Sequence, residues 1–368
     1  MTLQNRFQSL DVFRGMDVAL MIIVNSLGSY DTAWSPLLHA QWDGFTLTDL
    51  VFPTFLFVVG NAMCFSLAHY QSLGTGAVLG KIIKRTAVIF LIGFLMYWFP
   101  FCDITSEGLV FRPLSGTRVF GVLQRIALCY GVAALIIHFW KERGAVLFSL
   151  FALVAYPVIL YLFGDLSMLG NAGTKLDLWL LGENHMYRGE GVTFEPEGLL
   201  STLPSVVNVL AGYLTASLIR SKGASFETVA RLMVAGCILL LAAQWTDLVH
   251  PINKKLWTSS YVLHTVGLDL LILPVVMFTV DLSGIRKWTG FFEVFGKNTL
   301  FIYLLSEVLV ILLYWIPAGD SSLYGWIYQN FFRWTGDYTG SFLFGLWIML
   351  TCWTAGWILD KNRIYIKV

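Results

Sequence analysis

Apolar positions in this chain come in long blocks, broken where charged and turn residues cluster, and the blocks predict ten helices. Their limits are 10–29, 48–70, 82–101, 118–140, 145–164, 199–219, 229–249, 257–280, 292–316 and 341–359. Each is close to the roughly 20 apolar residues that carry a helix across a bilayer. No internal repeat or low-complexity segment marks the series, so an inverted-repeat transporter finds no support in the pattern. The expected fold is all-α, a polytopic integral membrane helix bundle of about ten transmembrane helices, built as a single domain over residues 1–368.

Composition makes the bilayer the natural solvent. Of 368 residues, 57% are hydrophobic and 13% charged, against about 45–50% and about 25% in an ordinary soluble domain. So few charges cannot cover so much apolar surface in water, which excludes a soluble globular enzyme and a disordered chain. A net charge of +1 offers no field for a nucleic-acid partner. The five cysteines lie far apart with no CxxC or Cys/His spacing, so they read as buried small hydrophobes and no metal site is expected. Asp11, Arg14 and Asp17 interrupt the first apolar block and no small-residue cleavage site follows. That block is therefore expected to stay in the protein rather than act as a cleaved signal.

Basic residues orient the bundle. With the N-terminus inside, sixteen of the 24 Lys and Arg fall on the inner side. They are Arg6, Arg14, Lys81, Lys84, Arg85, Lys141, Arg143, Arg220, Lys222, Arg231, Arg286, Lys287, Lys297, Lys361, Arg363 and Lys367. Seven (Arg112, Arg118, Lys175, Arg188, Lys254, Lys255 and Arg333) fall outside, and Arg125 sits within a span. Both termini are thus expected in the cytoplasm. The larger loops, 30–47, 165–198 and 317–340, then lie outside, where their Trp, Gly and acidic residues suit a sugar better than a lipid. A plain solvated cap over the bundle is the simpler alternative.

Ionisable residues within a span are costly and each is a candidate for function. Asp11, Arg14 and Asp17 share one face of the first helix, as a self-neutralising set or as a site. Arg118 and Arg125 stand seven apart on the fourth helix and require buried carboxylates or an anionic ligand, with Asp49, Asp247, Asp269 and Glu307 available. His264 reads as a core histidine satisfied by a neighbour, and His69, His138 and His250 read as interfacial. His39 differs. It lies in a short outer loop, after a first helix ending in Asn25 and before Thr48-Asp49-Leu50-Val51-Phe52-Pro53. An imidazole above the mouth of a bundle suits general-base or acyl-carrying chemistry, although an interfacial loop histidine explains the spacing equally simply.

The blocks around these residues resemble one family. They are Leu10-Asp11-Val12-Phe13-Arg14-Gly15, Val24-Asn25, His39-Ala40-Gln41-Trp42-Asp43-Gly44, Asp49-Leu50-Val51-Phe52-Pro53 and Gly121-Val122-Leu123-Gln124-Arg125-Ile126. Further on stand Glu195-Pro196-Glu197-Gly198-Leu199-Leu200-Ser201-Thr202, Asn253-Lys254-Lys255-Leu256-Trp257-Thr258-Ser259-Ser260-Tyr261 and Phe295-Gly296-Lys297-Asn298-Thr299. In this order they resemble the heparan-α-glucosaminide N-acetyltransferase family, in its short, bacterial-type form. The resemblance implies a polytopic enzyme of the bacterial cytoplasmic (inner) membrane. It would move an acetyl group from cytosolic acetyl-CoA to the amine of an amino sugar or glycan on the outer side. His39 matches the family's active histidine and Asn25 an asparagine upstream of it.

A deprotonated amine must attack the thioester, so His39 would take that proton or carry the acetyl group, and Asn25 would stabilise the oxyanion. Arg125, Lys81, Lys84, Arg85, Lys297 and Asn298 are the candidates for coenzyme A, with Arg286 and Lys287 on the same rim. Asp49, Trp42, Glu197 and Trp257 are the candidates for the acceptor. Expected partners are membrane lipid, coenzyme A and the amino-sugar acceptor, with a homodimer left open. The alternative is a permease for N-acetylated amino sugars, its polar groups lining a pathway.

Overall fold

The computed structural model describes residues 7–68, 74–105 and 108–366. Arg6, His69 and Lys367, which enter the charge tally or were expected at an interface, lie outside the described residues. Helix makes up 73% of the chain, so the helical expectation holds apart from two short antiparallel hairpins. The first half of the chain forms α1 (Gln8–Asn25), α2 (Leu47–Ala68), α3 (Thr75–Trp98), the hairpin β1 (Cys102–Thr105) and β2 (Gly108–Phe111), α4 (Val122–Phe163) and α5 (Ala172–Leu181). The second half forms α6 (Thr202–Lys222), α7 (Phe226–Asp247), α8 (Ser259–Met277), α9 (Thr289–Lys297) and α10 (Thr299–Trp315). After these come the hairpin β3 (Pro317–Ala318) and β4 (Ser321–Ser322), then α11 (Leu323–Ile327) and α12 (Asp337–Lys361).

Six of these are long and apolar enough to cross a membrane: α2, α4, α6, α7, α8 with the turn that continues it to Leu282, and α12. A seventh crossing is available if α9 and α10, which meet at 84°, act as one broken span. This is fewer than the ten expected. Asp11, Arg14 and Asp17 make α1 too charged to count on composition, and Lys81, Lys84 and Arg85 do the same to α3. The two helices expected over 118–140 and 145–164 are arms of one long α4, broken at Lys141, whose backbone lies at φ 54° and ψ −150°.

α1 and α2 run antiparallel, joined by the loop that carries His39. The C-terminus of α1 and the N-termini of α2, α4, α6 and α8 therefore gather at one end of the bundle, and the opposite termini gather at the other. α2 and α6 meet backbone to backbone. A Cβ added to Gly60 would stand 1.9 Å from the Val209 carbonyl oxygen, and one added to Gly212 would stand 1.9 Å from that of Phe57. Small residues allow this close approach, which aligns the two helix starts beneath the His39 loop. Outward-facing Leu147, Phe151, Val154, Val158 and Leu162 on α4 and Val234, Ile238, Leu241 and Trp245 on α7 are exposed. Those stripes follow helical spacing and suit a lipid environment.

Candidate active site

Asp49 begins the site. It stands in the first turn of α2, where the helix N-terminus favours negative charge. Its Oδ2 accepts the Thr46 N–H at 3.1 Å, the reach-back half of a capping box, and also the Thr46 hydroxyl and the Ala40 N–H, each at 3.1 Å. The Thr46 hydroxyl is 2.6 Å from the Leu38 carbonyl. The carboxylate is thus fully buried in a cage made by its own loop, and its Oδ1 is left 2.7 Å from His39 Nδ1.

A second loop closes on the imidazole. The turn at 253–258 is held by the Asn253 side chain, whose Oδ1 accepts the Leu256 N–H at 2.8 Å, and by the Thr258 hydroxyl, which accepts the Asn253 N–H at 3.0 Å. The Asn253 amide donates to Asp43 Oδ1 at 3.2 Å, and the Gly44 N–H donates to the Ile252 carbonyl, so the two loops are tied. Lys254 Nζ then lies 3.0 and 3.3 Å from the two ring nitrogens of His39 and 3.6 Å from Asp49. Partial desolvation of a ring that stays half exposed, together with the Lys254 ammonium, pushes His39 below the ordinary imidazole value of 6.5, against the opposite pull of Asp49 and Glu197. Lys254 is itself lowered by burial. The lowered pKa favours the neutral ring, and with Nδ1 turned to the Asp49 carboxylate the basic nitrogen of that form is Nε2.

The 195–198 segment forms the facing wall. Arg118 pairs with Glu195, with its Nε 3.0 Å from Oε2, and reaches Glu197 at 2.6 Å, while lying over the rings of Tyr97 and Tyr187. Burial raises Glu195. Glu197 is held low by Arg118, Arg125 and Lys254, although burial works the other way. Glu197 is within electrostatic reach of both His39 and Tyr303, Tyr303 of Glu307, and Glu307 shares a hydrogen bond with Asn25. The Asn25 side chain itself is exposed at the end of α1. Lys254, Thr46 and Arg118 belong to this site without having been singled out for it. The signal for Lys254 was its place in the Asn253–Tyr261 block.

Several expected roles change with the structure. Trp257 is 1% exposed, wedged against Phe52 and Tyr261 beneath the Arg125 guanidinium, with its Nε1–H on Asn208. No sugar could stack on it in this conformation. Asp49 is likewise caged, so it touches His39 and not an acceptor. Trp42 lies on the His39 loop, half-buried against Phe194, with its Nε1–H on the Leu166 carbonyl.

Arg125 does not reach toward the basic end of the bundle. It is buried beneath the 195–201 segment and donates to the carbonyls of Pro196 and Gly198, at 3.0 and 3.2 Å, and to the Ser201 hydroxyl. None of Asp49, Asp247, Asp269 and Glu307 pairs with Arg118 or Arg125. Asp269 accepts from Thr54 at 2.6 Å, near Asp17, which stands apart from the Asp11–Arg14 pair. His264 packs on Phe45 with its Nδ1 unpartnered, and His250 is buried beside Tyr161 rather than interfacial.

The remaining basic candidates lie at the opposite end. Lys81 and Lys84 are exposed on α3, and Arg85 lies over the Tyr130 ring. Lys297 pairs with Asp360 at 2.8 Å, and Asn298 holds the C-terminal backbone at Ile364 and Ile366. Between the far ends of α2 and α6 and the bend of α4 lies a cavity of about 560 Å³, bordered by His138, Lys141, Arg143 and Arg220. The fifteen helical steps of α2 from Asp49 to Cys64, at its wall, span roughly 22 Å.

The chain is similar to the heparan-alpha-glucosaminide N-acetyltransferase of Mus musculus, 27% identical over 425 aligned residues, covering 99% of this chain and 61% of that protein. It is also similar to the Homo sapiens protein of the same name, 29% identical over 362, covering 82% of this chain and 53% of that one. The chain therefore spans little more than half the length of these relatives. The family's catalytic region matches residues 6–244, a stretch that includes Asn25, His39, Asp49 and Glu197. This chain belongs to the heparan-alpha-glucosaminide N-acetyltransferase family.

Proposed function

We propose that this chain is a membrane-embedded N-acetyltransferase that takes acetyl-CoA at its basic end and acetylates the amine of an amino sugar at the His39 end. The observation that carries this reading is the 2.7 Å contact between His39 Nδ1 and the buried Asp49 carboxylate, which would orient the ring and leave Nε2 to take a proton. The amine nitrogen attacks the thioester carbonyl, a C–N bond forms and the C–S bond breaks. His39 accepts the proton lost by the amine and passes it to the departing thiolate, which leaves as coenzyme A. The Asn25 amide would donate to the oxyanion, a contribution of roughly 3 kcal/mol for one such donor.

Coenzyme A carries phosphates, and the cavity bordered by Lys141, Arg143 and Arg220, with Lys81 and Lys84 nearby, has the charge and volume to hold them. In this reading the chain works as one unit with both termini on the acetyl-CoA side, in a bacterial inner membrane. Ten crossings are reached if α1, α3, the second arm of α4 and the α9–α10 pair also cross.

Transfer from labelled acetyl-CoA to glucosamine by the purified protein tests the reading. His39→Ala should reduce it by about two orders of magnitude or more while leaving Tm unchanged. Coenzyme A alone should raise Tm, less so in high salt. Full transfer by His39→Ala would remove the imidazole from the chemistry. Stabilisation by N-acetylglucosamine and none by coenzyme A would point to the permease.

A further inference from the structure

The His39 end of the bundle holds a second cavity, of about 570 Å³, on the far side of the Asn25–His39 segment. Its floor is a stacked tyrosine pair, Tyr314 and Tyr324, with ring centroids 4.1 Å apart and planes at 16°. The lower ring is fixed, since the Tyr324 hydroxyl donates to the Leu27 carbonyl at 2.6 Å. Tyr314 is 53% exposed and Tyr30 beside it 48%. Asp31 and Gln329 line the same cavity with exposed side chains that make no hydrogen bond among the described residues. Exposed rings bordered by free acceptors and donors are what a sugar unit requires, its C–H face on a ring and its hydroxyls at the rim.

We propose that this cavity is a subsite for an uncharged sugar unit, extending the acceptor beyond the unit that carries the reacting amine. The inference rests on the acetyltransferase reading and adds the class of acceptor to it. The segment that begins at Asn25 and ends at His39 also supplies Tyr30 and Asp31 to this cavity. Tyr30 is also within electrostatic reach of Glu307, the residue that holds Asn25. Charge selects the occupant. Among the described lining residues the carboxylates of Asp31 and Asp337 face one cation, Arg333, already 3.2 Å from Asp337. A sulfated or carboxylated unit would meet uncompensated negative charge here.

Isothermal titration of the full chain, without acetyl-CoA, should compare glucosamine, its β-linked disaccharide and an N-sulfated disaccharide. The neutral-hydroxyl disaccharide should bind about tenfold tighter than the single unit, and the sulfated one at least about tenfold weaker than its unsulfated counterpart. Tyr314→Ala and Asp31→Ala should each erase the disaccharide advantage, and Tyr314→Phe, which keeps the ring, should restore it. Equal affinity for one and two units, or preference for the sulfated form, overturns the subsite. If the disaccharide preference holds but no acetyl group is transferred, the acetyltransferase reading fails instead.

Discussion

At the scale of single residues the site turns on two opposing neighbours of one imidazole. Lys254 disfavours the protonated ring and Asp49 favours it. A neutral base is active above its pKa, so the acid limb of kcat/KM should fall below pH 6.5, the ordinary imidazole value. Lys254→Met removes a lowering influence and should move that limb to higher pH, with the largest loss near pH 6 and the smallest near pH 8. An unshifted profile would show that Lys254 does not act on His39 electrostatically. Asp49→Asn should shift the limb the other way and also lower the plateau, by at least about tenfold, because the carboxylate no longer selects the tautomer. His39, Asn25 and Asp49 were legible in short local motifs. The approach of Lys254 was not, because it lies 215 residues from His39 and only the folded turn at 253–258 aims it.

At the scale of elements, helix–helix distance is the quantity that mutation can test. Gly60→Ala or Gly212→Ala forces a methyl group into a carbonyl oxygen across the α2–α6 contact, and each should destabilise the protein by about 1–3 kcal/mol. Gly80→Ala in α3, where nothing lies within 4 Å of an added Cβ, is the control. It should be neutral or stabilise by up to about 1 kcal/mol. Tm of the detergent-solubilised variants checks both, and an equal response at Gly60 and Gly80 would contradict the packing. Apolar runs located most helices to within a few residues because bilayer-length blocks are hard to mistake. They missed the bend between α9 and α10, where no proline stands and Asn298 instead turns aside to hold the C-terminal tail. They also missed α5 inside the 165–198 loop, although Asn171, which caps it by accepting the Thr174 N–H at 2.8 Å, was a readable start signal.

For the whole molecule the decisive property is that its two polar regions lie at opposite ends of the helices. If the bundle crosses the membrane as proposed, a cysteine at Trp179, which is 81% exposed, should react with an impermeant maleimide from outside. One at Lys222 should react only after permeabilisation, with Cys237 replaced in both. The reverse pattern would put His39 in the cytoplasm and leave no transmembrane step. Charge bias alone supports this orientation, and the basic cavity at the bend of α4 could not be read from sequence. Its residues come from the ends of α2 and α6 and the bend of α4, which only the fold brings together.

The His39 side chain, for all its contacts, is 49% exposed. An acetyl group parked on such a ring would be an activated amide standing in water, prone to hydrolysis before any sugar arrived. If the chain transfers acetyl groups as proposed, it gains nothing from storing them between substrates and wastes thioester if it does. Direct transfer, with both substrates present at once, is the kinetic regime that an open imidazole favours. Acetyl-CoA supplied without an acceptor should then persist, with neither labelled protein nor free thiol accumulating above background.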